Sequence, residues 1–370
     1  MSAPVLAFAI ERERLAAAVE RVSKVIQKRN TIEILGNVLI EAKDGALTLR
    51  GTDLDVDATI RVEGAAIGTA GAVTVPVSEF AASLSRWPNG SLTVECDGRR
   101  LTAKVARSRA NLPVLPSVDF PDIRRGEAER TFQIPGSDLT AMAAKCGFAI
   151  STEETRYYLN GIYLHAVDEK LIAVATDGHR LSRFEMPLPE GAEDLRGVII
   201  PSRTVRLWSH LLGKDESEPV TIETAESFIR FSSELMVLHS KVVAGTYPDY
   251  SRVIPRGNNQ VALANLSDVA SAVDRLLVYQ SKTAVAFRMS FGAGEIRLSI
   301  HSDAGDAEEI IPAECDFELE IGFNGKYLRE TLDTLRGPKV RLSLADLASP
   351  SLITDEDDPR RQIVVMPMRV

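Results

Sequence analysis

The chain repeats itself three times, and that period restricts what it can fold into. Phe8, Ile10 and Leu15 return as Phe132, Ile134 and Leu139, about 124 residues further on. Pro76 and Phe80 return as Pro201 and Val205, and again as Phe323 and Tyr327. Thr52-Asp53, Thr176-Asp177 and Ser302-Asp303 keep nearly the same step. So long a period describes tandem domains, each large enough for its own core, and not a solenoid of short units. The expected limits are 1–129, 130–257 and 258–370, with Phe120-Pro121-Asp122 and Tyr247-Pro248-Asp249 marking the first two exits. The repeat is also an internal control: what all copies share is architecture, and what one copy has alone is a candidate for function.

Each repeat divides again into two similar halves, in which a short apolar strand leads into a helix and further strands follow. Val5 to Ile10 precedes a helix predicted over 11–29, whose Leu15, Val19, Val22 and Ile26 form one stripe at helical spacing. The same plan predicts helices over 78–87, 136–149, 202–214, 266–282 and 324–339. Alternating segments such as Leu47-Thr48-Leu49-Arg50 and Ser91-Leu92-Thr93-Val94-Glu95 read as half-buried antiparallel strands. The fold class is therefore α+β, six β-α-β-β-β half-repeats with the helices gathered on one side of the sheets.

Composition is that of a globular chain, with 45% apolar and 26% charged residues. No run approaches the length of a spanning helix, and the apolar start meets Glu11-Arg12-Glu13-Arg14 at once, so neither membrane span nor signal peptide is expected. Cys96, Cys146 and Cys315 have no metal or redox spacing and read as thiols in a reducing cytoplasm. The net charge of −9 would argue against nucleic acid, but the six helical stretches carry +8, which leaves −17 elsewhere. Arg14, Arg21 and Lys28 lie opposite the first helix's apolar stripe. Arg203, Arg206 and Lys214 lie opposite Val205, Trp208 and Leu212, and Arg329 and Arg336 oppose Leu328, Thr331 and Leu335. One such face is an ordinary solvated surface. Three against an acidic remainder fit a surface that tracks phosphates without reading bases.

The Thr-Asp turn is common to all copies and reads as structural, whereas Gly178-His179-Arg180-Leu181 follows only one of them. A catalytic reading would make His179 a general base partnered by Asp177, but nothing supplies a nucleophile. A buried structural histidine and the wall of a binding site are the other readings. There is no GxxxxGK[ST], and Gly292-Ala293-Gly294 lacks the rest of a dinucleotide fingerprint, so no nucleotide or other cofactor is expected.

Read in order on this repeat, several motifs resemble the bacterial sliding clamp, the β subunit of DNA polymerase III. They are Glu33-Ile34-Leu35-Gly36-Asn37, Gly51-Thr52-Asp53-Leu54, Arg156-Tyr157-Tyr158-Leu159-Asn160-Gly161 and Thr176-Asp177-Gly178-His179-Arg180-Leu181. Tyr247-Pro248-Asp249-Tyr250, Ile321-Gly322-Phe323-Asn324 and the closing Val364 to Val370 complete the set. The resemblance implies a DNA-clamp fold closed into a ring as a head-to-tail homodimer. Twelve helices side by side at ~9–10 Å would leave an opening of roughly 25–35 Å, enough for a duplex. It implies a non-enzymatic processivity factor opened by an external clamp loader, with the polymerase III α subunit and other clamp-binding-motif proteins as partners. A clamp-like paralogue acting away from the fork, or a hydrolase using Asp177 and His179, are the alternatives.

The resemblance also implies site residues. A peptide pocket would combine Leu159, Thr176, Gly178, His179, Arg180, Leu181, Pro248, Arg252, Val253, Asn324, Tyr327, Val364, Val365, Met366, Pro367, Met368 and Arg369. DNA would be met by Arg29, Tyr157 and Tyr158, which join Arg14, Arg21, Lys28, Arg203 and Arg206 of the basic helix faces. Thr152 and Glu153 stand where some relatives carry His-Gln, and an acid there weakens the case for DNA contact by that loop. The ring seam would lie at Ala110 and Leu112 on one side and Val278 and Tyr279 on the other.

Overall fold

The computed structural model describes residues 4–27, 29–123, 126–211, 218–281 and 285–369, so Lys28, Leu212, Lys214 and Val370 lie outside the described residues. Six α-helices are described: α1 Arg12–Ser23, α2 Val77–Arg86, α3 Gly136–Cys146, α4 Ser202–Leu211, α5 Leu266–Leu277 and α6 Gly325–Leu332. Each follows a strand and precedes a run of strands, as the half-repeat plan requires. On α1, Leu15, Ala18, Val19 and Val22 are buried along one stripe, and each large apolar side chain so placed contributes about 1.5–3 kcal/mol. Asn265 and Asn324 start α5 and α6, their side chains accepting from the second and third backbone N–H groups of the helix.

Helices α1, α5 and α6 are shorter than their apolar stripes. After α1 the backbone tightens, with Lys24 N donating to Arg21 O and Val25 N to Val22 O, yet Val25 and Ile26 stay buried. α5 and α6 end in similar three-residue turns at Tyr279 and at Thr334-Leu335. Arg29, expected at the end of the first helix, stands beyond it and is exposed.

The chain divides into two compact units. The first is Met1–Thr140, Pro189–Ala192 and Arg203–Val242, and the second is Ala141–Leu188, Glu193–Ser202 and Val243–Val370. The middle repeat thus contributes to both. In the first unit a five-stranded antiparallel sheet ends on Ser108–Pro113, and a nine-stranded sheet pairs Val56–Val62 of repeat one with Met236–Lys241 of repeat two. In the second, a twelve-stranded sheet pairs Arg180–Pro187 of repeat two with Arg361–Val365 of repeat three.

A rule of assembly is visible in these joins. The last strand of a repeat's first half pairs with the last strand of the next repeat's second half. Two strands with those positions keep an open edge among the described residues. Ser108–Pro113 ends its sheet, and Gly305–Glu314 meets Gln260–Asn265 only through Ala313 and Glu314. In the second unit the join is bolted by Arg361, 2% exposed, which donates to the carbonyls of Lys145 (2.8 Å) and Thr334 (2.8 Å) and to the Thr334 hydroxyl (2.6 Å).

Candidate functional site

The basic helix faces are less open than their periodicity implies. In the first unit Arg21 donates to the carbonyl of Leu211, the last residue of α4, and is half-buried. Arg203, at the start of α4, donates to Val25 O (2.6 Å) and pairs with the buried Asp53 carboxylate (2.8 Å). The helical spacing predicts that both point outward at phosphate. Helix ends leave carbonyls without intrahelical partners, and a guanidinium with five donors satisfies them well. The two arginines therefore cross-brace α1 and α4. Arg14, Arg29 and Arg206 are exposed. In the second unit Arg329 joins Asp274 (2.5 Å) and Asp333, which offsets its charge, while Arg336 is exposed. Tyr157 is 53% exposed and stands edge-on to the half-buried Tyr158, and the nearby Glu153 is held by Arg156 through two hydrogen bonds.

All of the expected pocket residues belong to the second unit. The turn after strand Lys170–Thr176 is fixed by its own side chains. Thr176 Oγ1 donates to Arg180 O (2.7 Å) and accepts from Gly178 N (3.1 Å), while Asp177 Oδ1 accepts from His179 N and Arg180 N (both 2.9 Å). Gly178 takes φ +88°, where a Cβ would come within 2.4 Å of Arg156 Nη1. The resulting rim exposes Gly178 and His179, and the His179 ring stacks on Tyr327 at 5.8 Å. This removes the reading of His179 as a buried structural residue.

The chain terminus is laid across this rim by two backbone hydrogen bonds. Met366 N donates to His179 O and Met368 N to Gly322 O, both at 2.8 Å. Met366 and Arg369 are exposed, and Pro367 and Met368 are half-buried. Behind them Leu159, Leu181 and Val364 are buried in a cluster with Ile172, Val174, Ile199 and Tyr247, and Val365 belongs to the neighbouring core. These side chains back the site from below. Pro248, Arg252 and Val253 are exposed, with Arg252 paired to Asp249 (2.8 Å).

Two residues expected in the pocket are already engaged. Arg180, 7% exposed, pairs with Asp177 (3.1 Å) and Glu330 (2.5 Å) and lies over the Tyr327 ring at 4.5 Å. Asn324 caps α6. Both hold other parts of the site in place. A separate cleft of about 750 Å³ lies over the sheet face formed by Ala286, Arg288, His301 and Asp306, and only Met368 and Arg369 of the expected residues reach it. Burial pushes the Cys146 thiol up to about 12, which leaves it protonated and unreactive near neutrality.

One set of residues escaped the sequence reading. Tyr247 stacks on Tyr163 (4.7 Å, 4°), Tyr163 stacks on His165 (4.7 Å), and His165 Nε2 meets the Tyr250 hydroxyl at 2.9 Å. The available signal was the i, i+2 spacing of Tyr163 and His165 on one strand face, together with Tyr247 and Tyr250 flanking Pro248-Asp249.

Three family models cover the chain in order: the N-terminal domain of the DNA polymerase III β subunit over residues 6–124, its central domain over 133–249 and its C-terminal domain over 251–369. The chain belongs to the DNA polymerase III β subunits, the β sliding clamps. The β sliding clamp of Caulobacter vibrioides is 40% identical over 98% of this chain and 99% of its own length. That of Escherichia coli strain K12 is 32% identical over 98% of this chain and 100% of its own. The crystal structure of the Bartonella birtlesii DnaN sliding clamp bound to griselimycin matches with TM-score 0.95 and 37% identity, over 99% of this chain and 100% of that one. The Pseudomonas aeruginosa clamp bound to the same compound matches with TM-score 0.93 and 31% identity, over 99% and 100%. The β sliding clamp is a processivity accessory subunit of the polymerase and not a catalytic one, and three tandem clamp domains are its fold. No helix among the described residues is long and apolar enough to cross a membrane.

Proposed function

We propose that the chain is a processivity ring, a head-to-tail homodimer that encloses duplex DNA and tethers polymerases and repair proteins by short peptides. The carrying observation is the segment Met366 to Arg369, exposed at Met366 and Arg369 and pinned across a rim whose Gly178-His179-Arg180-Leu181 sequence only repeat two possesses. Buried Leu159, Leu181 and Val364 give that groove a firm apolar base, and exposed Val253 and Met366 offer surface to short hydrophobic side chains. Methionine adapts to several partners. Two or three buried apolar side chains contribute ~1.5–3 kcal/mol each, less the cost of ordering the peptide, which suits partners that must exchange.

The strand rule supports the dimer. Ser108–Pro113 of one copy and Gly305–Glu314 of another are the pair the rule leaves over, and they differ in charge: Arg107 and Arg109 on one side, and on the other Asp306 with Glu308 and Glu309, the last two paired with Arg297 and Arg275. On the first edge Ala110 is half-buried and Leu112 buried, and near the second Val278 is exposed and Tyr279 half-buried. Closure with two equal seams gives C2 symmetry. The same reading keeps the limits 1–129, 130–257 and 258–370, since strands Arg130–Pro135 and Gln260–Asn265 open the next repeat just after them. It places the protein in the cytoplasm, with an external loader and the polymerase III α subunit among its partners.

Contact with DNA falls to Arg14, Arg29 and Arg206, with Tyr157 at the rim and Lys28 outside the described residues. Retention on nicked circular against linearised plasmid is the test of a ring: binding should survive salt on the circle and be lost from the linear form. Deleting Met366 to Val370 should abolish binding of a short Gln-Leu-x-Leu-Phe-like peptide while the dimer persists. Equal salt-resistant retention on both plasmids, or peptide binding unaffected by the deletion, would refute the respective half of this function.

A further inference from the structure

We infer that the ring stack Tyr247–Tyr163–His165–Tyr250 fixes the Pro248–Val253 wall of the peptide groove, which makes His165 a positioning residue for peptide binding. This rests on the groove assigned above. The wall has little structure of its own. Its one short turn, Tyr250–Val253, is held locally by Asp249, which accepts from Ser251 N (3.2 Å) and pairs with Arg252. Pro248, Asp249, Ser251, Arg252 and Val253 are all exposed. Its long-range holds are rings. Tyr247 is buried among Leu159, Leu181 and Val364, and Tyr250 reaches His165. His165 itself sits on a firm support, because strand Gly161–Val167 pairs with Lys170–Thr176 on one edge and Val198–Pro201 on the other.

The positive charge of Arg183, from strand Arg180–Pro187, acts on both Tyr250 and His165. Beside it the neutral imidazole is favoured, and a neutral ring can accept the Tyr250 O–H at Nε2 across the 2.9 Å contact. Burial, followed by the Arg183 charge, holds the His165 pKa below its ordinary value. The groups facing His165 are Tyr163 on its own strand, Ile172 opposite on the next, Tyr250, and Arg183, which is itself tied to Glu185 at 2.8 Å and faces Gln362 at 3.4 Å. Protonation would add a charge facing Arg183 and remove the acceptor at Nε2. The contact is thus complete above the ordinary histidine value of 6.5 and is lost as the pH falls from there through the lower folded value.

The test uses the full chain, the Gln-Leu-x-Leu-Phe-like peptide followed by fluorescence anisotropy between about pH 5.5 and 8, and amide hydrogen exchange of the free protein. His165→Ala should leave the wall competent for part of the time and weaken the peptide about fivefold, since apparent affinity scales with the competent fraction. Exchange should quicken at 249–253 and nowhere else in the second unit. His165→Phe keeps a ring in the stack but cannot titrate, so the weakening of peptide binding that the unaltered protein shows in acid should vanish. Normal peptide binding by the unaltered protein, with affinity and exchange unchanged in His165→Ala, overturns the positioning role alone. No peptide binding by the unaltered protein sinks the groove assignment, and the peptide role of His165 with it.

Discussion

The turns Thr52–Val56 and Thr176–Arg180 are built alike and used differently. In each the threonine hydroxyl accepts from the N–H two residues on (3.1 Å) and donates to the carbonyl four residues on (2.8 and 2.7 Å). In each the aspartate Oδ1 accepts from the N–H groups two and three residues on. They part at the other carboxylate oxygen and at the middle residue. Asp53 Oδ2 is sealed by Arg203 and Gln27, and Leu54 occupies the left-handed position at φ 78°. Asp177 Oδ2 binds the turn's own Arg180, and glycine fills the left-handed position, so the rim stays open for the chain terminus to cross. A repeated sequence element specifies a turn. What surrounds the turn decides whether it becomes a joint or a site.

Asp53→Ala should show the largest effect that separates the two. It strands two backbone donors and a half-buried guanidinium and should cost about 3 kcal/mol. Asp177→Ala removes similar bonds, but Arg180 keeps Glu330, so a loss nearer 1.5 kcal/mol is expected. Both tryptophans, Trp87 and Trp208, lie in the first unit. Urea unfolding followed by their fluorescence should therefore move strongly for Asp53→Ala and little for Asp177→Ala, with circular dichroism reporting the latter. Equal shifts by fluorescence would erase the distinction between the turns.

The braced arginines sharpen the same contrast. Arg203→Ala should lower the thermal midpoint of the first unit and hardly alter the salt dependence of DNA binding. Arg14→Ala should leave the midpoint in place and reduce the log–log salt slope by roughly 0.9. A slope change from Arg203→Ala with no loss of stability would return that residue to the DNA surface. Smaller still is the exchange of middle residues. Gly178→Ala should destabilise by about 1 kcal/mol, because Arg156 must swing away and the left-handed backbone disfavours a Cβ. Leu54→Asn should stabilise by about 0.5 kcal/mol, since asparagine tolerates that conformation. Thermal melts of the paired variants measure both.

The repeat made the half-repeat plan legible, because a core must recur wherever its strands and helices do. Helix ends were not. Val25, Ile26 and Leu335 keep the apolar spacing past the last full helical turn, since a tightened turn can bury the same face. Nor could periodicity separate Arg14 from Arg21. Both oppose the apolar stripe of α1, but one reaches solvent and the other meets the Leu211 carbonyl far along the chain. The rim sequence Gly178 to Leu181 and the terminal segment were readable because each is unique to one repeat. The His165 stack was not, because its members become neighbours only once two strands and a loop are folded together.

The rule that joins strand Val56–Val62 to Met236–Lys241, and Arg180–Pro187 to Arg361–Val365, has a consequence for how such a protein can be built. Any chain containing a whole number of these repeats must finish with the same two unmatched borders, one at each end of the series. Gene duplication or loss of a repeat would therefore preserve self-compatibility, and only curvature would dictate how many chains complete a circuit. A lone repeat would carry both borders bare and would tend to polymerise.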